Sequence, residues 1–301
     1  MYLITLIACL FSTSVFAELQ FKPRADAKPV AYEANGNPIY KLADLDDVPS
    51  PMVFQGTKSV DGEFPEVGFL GFCTATAVGP RVIYTAAHCV SNGQKVNWKM
   101  RKNNVSYSGT CSKHSEYNDN TVFNDYAFCV LNETLPSDTV FASFNISANP
   151  SNGSEMLMNG FGRPFLGTHY WGSATIEKYS GQDLITCGKA NLGGGDSGGS
   201  FFAWTTDRKD PSKHIINGTN SRASSSCSYM NSTSHPNFIS WSRPFAKDRG
   251  LEICGVNKDC NVPTPPPIDP NKCKDERSIV DWIRKELGIA ESQLKLCLSK
   301  P

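Results

Sequence analysis

Charge is scarce in this sequence and balanced where it occurs. Only 19% of the 301 residues are Asp, Glu, Lys or Arg, and 29 basic side chains meet 29 acidic ones. A chain without a basic excess lacks the field that nucleic-acid binders use to neutralise phosphates, so no nucleic-acid partner is expected. Long apolar runs are missing too. The run Tyr2 to Phe11 is too short to span a bilayer and no later stretch is apolar enough, so no membrane span is expected. No segment repeats another. Metal-ligand spacing is absent among His114, His169, His214 and His235. The expectation is no metal and no cofactor, with those histidines in packing or surface roles.

What is present fits an exported, turn-rich globular protein. Aromatic residues make up 11% and there are 24 glycines, a composition suited to a packed core rather than to disorder. The first seventeen residues carry no charged side chain and end in Ser12-Thr13-Ser14-Val15-Phe16-Ala17, small or apolar where a signal peptidase reads. Residues 1–17 are therefore read as a signal peptide, and the protein as secreted, extracellular or periplasmic. Leu6-Ile7-Ala8-Cys9 also resembles a lipoprotein box, but too few residues precede Cys9 for a normal signal. Cutting after Ala17 removes Cys9 and leaves ten of the 11 cysteines. An even count in an exported chain reads as about five disulfides.

Residues 18–52 are polar with scattered prolines and a closing acidic patch at Asp44, Asp46 and Asp47. They read as a propeptide or an ordered arm. From Val53 short β-branched and aromatic runs alternate with Gly, Asn and Ser clusters: Val67 to Leu70, Arg81 to Tyr84, Tyr126 to Leu131, Ser200 to Trp204. That texture predicts an all-β body, a sandwich or barrels. Residues 254–301 form a cysteine-containing extension. In it Val262 to Pro270 is a stiff Pro-rich linker, and Asp275 to Leu287 has the period of a helix, with Ile279, Ile283 and Leu287 on one face.

Three segments carry the chemistry: Thr85-Ala86-Ala87-His88-Cys89, Asn124-Asp125-Tyr126-Ala127-Phe128 and Gly193-Gly194-Gly195-Asp196-Ser197-Gly198-Gly199. A serine hydroxyl is a poor nucleophile at neutral pH. It needs a base within hydrogen-bond reach, and the base needs a third group to orient it and stabilise it once protonated. Glycines around the serine let backbone N–H groups face a substrate carbonyl and keep the approach open. These motifs, in the order His, Asp, Ser, resemble those of the chymotrypsin/trypsin-like serine endopeptidases, over about Val53 to Cys254. Asn159-Gly160-Phe161-Gly162 resembles a further turn of that family.

The resemblance implies two six-stranded antiparallel β-barrels over residues 53–253, with a C-terminal helical extension beyond them, and a protein or peptide substrate bound between the barrels. It implies His88 as general base, Asp125 as its orienting carboxylate (Asp119 being the fallback), Ser197 as nucleophile, and the N–H groups of Gly195 and Ser197 as the oxyanion hole. Ser221 matches a family serine that bonds the catalytic Asp. Asn191, six residues before the nucleophile, matches the pocket floor, and Ala223 and Asn237 match positions where glycines usually line that pocket. An uncharged Asn191 predicts no preference for Arg or Lys. The family's cysteine pattern implies the pairs Cys73–Cys89, Cys111–Cys129 and Cys187–Cys227; Cys254, Cys260, Cys273 and Cys297 keep three possible connectivities. Family zymogens are cut by an activating protease to expose a small hydrophobic N-terminus. Here that implies cleavage between Met52 and Val53 and an ion pair of the Val53 ammonium with Asp196. Two other function classes are open to this sequence: a protease-like binding module without catalysis, separated by a serine-reactive probe, and a serine esterase, separated by comparing peptide with ester substrates. Six Asn-x-Ser/Thr sequons begin at Asn104, Asn132, Asn145, Asn152, Asn217 and Asn231; they mean glycosylation only in a source that glycosylates exported proteins.

Overall fold

A computed structural model of the chain describes residues 22–45, 56–162, 167–188 and 190–260. The expectations for residues 1–17, Met52, Val53, the Pro-rich stretch, the helix at 275–287, Cys273 and Cys297 lie outside the described residues.

Six strands, Val67–Phe69, Thr74–Gly79, Val82–Thr85, Lys95–Met100, Ser106–Lys113 and Ala127–Leu131, close into an antiparallel barrel. Period-two alternation drives it: along Ser106–Lys113 exposed and buried residues alternate through Cys111. The interior gathers Trp98, Ile83, Ala75, Ala77, Met100 and Leu131 around Cys73, Cys89, Cys111 and Cys129. Trp98 occupies space that only a glycine leaves, since a Cβ on Gly68 would stand 2.4 Å from its ring.

The second body is an eleven-stranded sheet. Its main path runs Lys178–Ser180, Asp183–Cys187, Cys227–Ser232, Ile215–Ala223, Ser200–Ala203, Glu155–Gly160, Tyr170–Thr175 and Thr57–Lys58. Where the resemblance implies a second six-stranded barrel, this sheet has eleven strands, two of them short strands of the N-terminal segment. Ala31–Tyr32 pairs with Pro38–Lys41, which pairs with Ile215–Ala223.

A shared apolar core joins the bodies, with Phe64, Val78, Tyr84, Phe128, Phe144, Leu157, Phe202, Ile216 and Phe238 all buried. Each such side chain contributes about 1.5–3 kcal/mol on burial. Polar bonds stitch the seam: the Tyr84 hydroxyl to Thr219, the Tyr126 hydroxyl to the Ser232 carbonyl at 2.7 Å, and Thr76 Oγ1 to Ser200 Oγ at 2.8 Å. One α-helix is described, Pro236–Asp248, with Pro at its start and the His235 ring accepting the Asn237 N–H. Its Trp241 stacks on Phe128 at 4.8 Å between ring centroids. Among the described residues no helix is long and apolar enough to cross a membrane.

Candidate active site

His88 sits in a 3-10 turn, Ala87–Cys89, directly after the Val82–Thr85 strand. The Cys73–Cys89 disulfide pins that turn to the neighbouring strand. The cluster of Cys73, His88 and Cys89 has the proximity of a metal site, but its two sulfurs are consumed in the disulfide and offer no thiolate.

Asp125 is fully buried just ahead of the Ala127–Leu131 strand. Its carboxylate takes three donors. Oδ1 accepts the His88 backbone N–H at 2.8 Å, while Oδ2 lies 2.7 Å from His88 Nδ1 and accepts the Ser221 hydroxyl at 2.6 Å. Burial pushes this carboxyl up; the His88 charge beside it and the bonds from His88 and Ser221 more than offset that, holding it below its ordinary value. The group therefore stays ionised and fixes the ring with Nδ1 toward the carboxylate and Nε2 outward. Asp119, the alternative carboxylate, is exposed instead and bonds Tyr117 and Lys41.

Ser197 lies in the loop before the Ser200–Ala203 strand, and its carbonyl accepts the Thr74 N–H at 2.8 Å. This bond brings the serine loop of one body against the residue next to Cys73 in the other. Gly198 permits the approach. Its φ is +76°, and a Cβ there would stand 2.1 Å from Thr85 Oγ1, 2.5 Å from the Thr74 carbonyl oxygen and 2.8 Å from the Ala86 nitrogen. Ser197 Oγ and His88 Nε2 are both buried and neither has a hydrogen-bond partner. Without substrate such a bond is commonly long or misaligned and tightens in the complex.

The Asp196 carboxylate, buried beside Ser197, accepts the N–H groups of Gly162 and Gly193, each at 3.1 Å. The turn at Asn159 to Gly162 thus meets the serine loop. A Cβ at Gly160 would collide with Asp196 at 2.2 Å, which requires glycine there. Asn191 accepts the Ser228 hydroxyl at 2.7 Å, and Ala223 is buried in the Ile215–Ala223 strand. Asn237 takes another place: it lies in the first turn of the helix and its side-chain amide donates to Asn124 Oδ1 at 2.9 Å. Counting along the chain misplaced it because the strand after Cys227 ends at Ser232 and the helix begins at Pro236.

Cys73–Cys89, Cys111–Cys129 and Cys187–Cys227 are disulfide-bonded. The last two pairs are direct cross-strand neighbours. Cys254 and Cys260 are also in disulfides. Of the sequons, Asn217 and Asn231 are buried at 2% and 0% exposure, so neither can carry a glycan in the folded protein.

Asn231 has a role that sequence reading missed. Its Oδ1 accepts the Asp125 backbone N–H at 2.8 Å and its amide donates to Asp183 at 2.8 Å. Asp183 in turn bonds Arg222. Gln182 accepts the neighbouring Asn124 N–H at 3.1 Å, where Asn124 holds a left-handed φ of +57°. The sequence signal at Asn231 was only a sequon. Asn231→Ala strands the buried Asp125 N–H, so under the endopeptidase expectation drawn from the sequence, kcat on a peptide substrate should fall about tenfold to a hundredfold with KM little changed. Steady-state kinetics on the purified variant checks this; an unchanged kcat would remove Asn231 from the positioning machinery.

A family model described as Trypsin matches residues 53–239. Trypsin beta of Drosophila erecta is 29% identical over 105 residues, which is 32% of this chain and 42% of the relative. Trypsin delta of Drosophila melanogaster is 32% identical over 113 residues, 35% of this chain and 43% of the relative. The chain spans under half the length of the curated relatives it matches.

Proposed function

The chain belongs to the trypsin family, and from that premise we propose that it is an exported serine endopeptidase that hydrolyses peptide bonds through an acyl-enzyme. The observation that carries the proposal is the Asp125 carboxylate holding the His88 backbone N–H, the His88 ring and the Ser221 hydroxyl, with the glycine loop around Ser197 packed against the Thr85-Ala86 segment that leads into His88. In the proposed reaction Ser197 Oγ attacks the substrate carbonyl and its proton passes to His88 Nε2. Asp125 stabilises the imidazolium. The N–H groups of Gly195 and Ser197 receive the oxyanion, about 3 kcal/mol for such a donor. His88 then protonates the leaving amine as the C–N bond breaks, and water repeats the sequence on the ester to release the acid and restore Ser197.

Specificity in this reading excludes basic side chains. Asn191 is uncharged and its oxygen is satisfied by Ser228, whose own oxygen accepts the Leu192 N–H at 3.0 Å. A lysine or arginine reaching there would meet no carboxylate at the floor and would be buried without a counter-charge. Cleavage of a peptide library by the processed protein should therefore show no enrichment of Arg or Lys on the acyl side of the cut bond. Strong cleavage after either would contradict the pocket assignment.

Activation in this reading follows cleavage between Met52 and Val53, with the new ammonium joining Asp196. The Asp196 carboxylate accepts the Gly162 and Gly193 N–H groups, and a cation brought to it from the new N-terminus would add to the bonds that order the loop carrying Ser197. N-terminal sequencing of active protein should begin at Val53; full activity with residues 18–52 attached would contradict it.

A further inference from the structure

The N-terminal segment does not hang free of the catalytic body. Pro38–Lys41 adds a strand to the edge of Ile215–Ala223 in antiparallel register, Tyr40 opposite Ala223 and Lys41 opposite Arg222. Leu42 follows directly after the pair Lys41–Arg222, and Arg222 is the neighbour of Ser221, the residue bonded to Asp125. Leu42 is 0% exposed and Leu45 6%. Both pack in one apolar cluster with Leu184, Ala190, Leu192, Ala223 and Met230. Ala190 and Leu192 flank Asn191, so Leu42 packs beside the stretch expected to form the pocket floor. The carbonyl oxygens of Leu42 and Leu45 lie against Gly194, since a Cβ there would stand 3.3 and 2.9 Å from them. Gly194 precedes Gly195, the proposed oxyanion donor.

Further contacts lock the segment in place. Ile39 packs on Ile185, Cys227 and Tyr229. The Glu33 carboxylate accepts the Ser226 hydroxyl at 3.1 Å, the Tyr229 hydroxyl at 3.2 Å and the Ser224 hydroxyl. Lys41 pairs with Asp119 at 3.5 Å. The segment also braces itself, with Arg24 on Asp44 at 2.8 Å and Pro23 bridged to Leu45.

An extended peptide laid on a sheet edge, with one side chain in a pocket, is how a peptide substrate binds. This segment copies that pose up to Lys41 and then departs from it. Leu42–Asp44 form a 3-10 turn, and the Leu42 carbonyl accepts the Leu45 N–H at 3.2 Å. The carbonyl that would be attacked is thus engaged within the segment and its peptide bond has left the extended path. Residues 18–52 contain no cysteine, so once the chain is cut after them no disulfide can retain the fragment.

We propose that residues 22–45 are an intramolecular inhibitor seated in the substrate groove, with Leu42 in the side-chain pocket, and that the released groove accepts an apolar side chain of leucine size. This rests on the endopeptidase reading above and adds the regulation and substrate preference of the same site.

The test uses the full secreted chain cut after residue 52, and a fluorescent peptide of residues 28–45. Anisotropy should show the peptide binding to the cut chain. The Leu42→Asp peptide should bind at least about tenfold more weakly, because it places a carboxylate in an apolar pocket. Reaction of Ser197 with a peptidyl phosphonate bearing a leucine side chain should abolish binding, and the arginine phosphonate should react more slowly. Equal binding of both peptides, or binding that persists on the phosphonylated chain, overturns the groove assignment while leaving the enzyme reading intact. A cut chain that takes no phosphonate and cleaves no peptide overturns the enzyme reading and with it the inhibitor role, even if Leu42-dependent binding remains. In the uncut chain, Leu42→Asp should raise amide exchange at residues 38–41 without changing it in Ala127–Leu131; unchanged exchange at residues 38–41 counts against the docking.

Discussion

Ser197→Ala should lower kcat/KM on a peptide substrate by about 10,000- to 1,000,000-fold, while thermal unfolding stays where it is or rises slightly. The separation of the two effects comes from the geometry. Ser197 Oγ is buried and makes no hydrogen bond, so removing it forfeits no native bond and relieves an unsatisfied polar group. His88→Ala should cost comparable activity but behave differently in unfolding. The His88 ring is a partner of a fully buried carboxylate. Deleting it leaves Asp125 with the His88 backbone N–H and the Ser221 hydroxyl, a loss of about 1–3 kcal/mol. Paired melting curves for the two variants read this contrast. A large destabilisation by Ser197→Ala would mean that the hydroxyl is structural.

Gly198→Ala should be a strongly damaging single-methyl change at the serine loop. At φ +76° an alanine is strained by about 1–2 kcal/mol. The added Cβ also meets two backbone atoms, the Thr74 carbonyl oxygen and the Ala86 nitrogen, which no rotamer change can clear. Overpacking of this kind adds about 1–3 kcal/mol. The combined loss lowers Tm by roughly 4–20 °C. Any relaxation must push the serine loop away from the Thr85-Ala86 segment that leads into His88, so kcat/KM should fall at least about a hundredfold. Calorimetry with kinetics at a temperature where the variant is folded checks both parts. Wild-type stability and rate together would show that the two loops are not in contact in solution.

The residues whose chemistry depends on local sequence were legible before any coordinates. His88 and Ser197 stand in pentapeptides whose neighbours each have a local reason: a cysteine to pin the turn, glycines to let backbone pass within van der Waals distance. The strands Val82–Thr85, Ala127–Leu131 and Ser200–Ala203 could be read from their apolar, aromatic and β-branched texture. Ser221 was legible only through resemblance, and its bond to Asp125 is long-range. Other features have no local signature. The Pro236–Asp248 helix carries Pro244 in its interior, which breaks the pattern by which helices are read; packing of Trp241, Phe238 and Phe245 against the barrel overrides that cost. Asn231 orients the Asp125 backbone from 106 residues away. The docking of Leu42 depends on strand pairing between segments about 180 residues apart, and nothing in the polar sequence of residues 18–52 announces it.

The central claim is that His88, held by Asp125, activates Ser197. Mass spectrometry of the processed protein after a serine-reactive phosphonate tests it most directly. A single adduct on Ser197 in the wild-type chain, absent or at least about a thousandfold slower in His88→Ala, is the expected result. Peptide hydrolysis with no adduct at Ser197, or labelling of Ser197 that ignores the loss of His88, would contradict it.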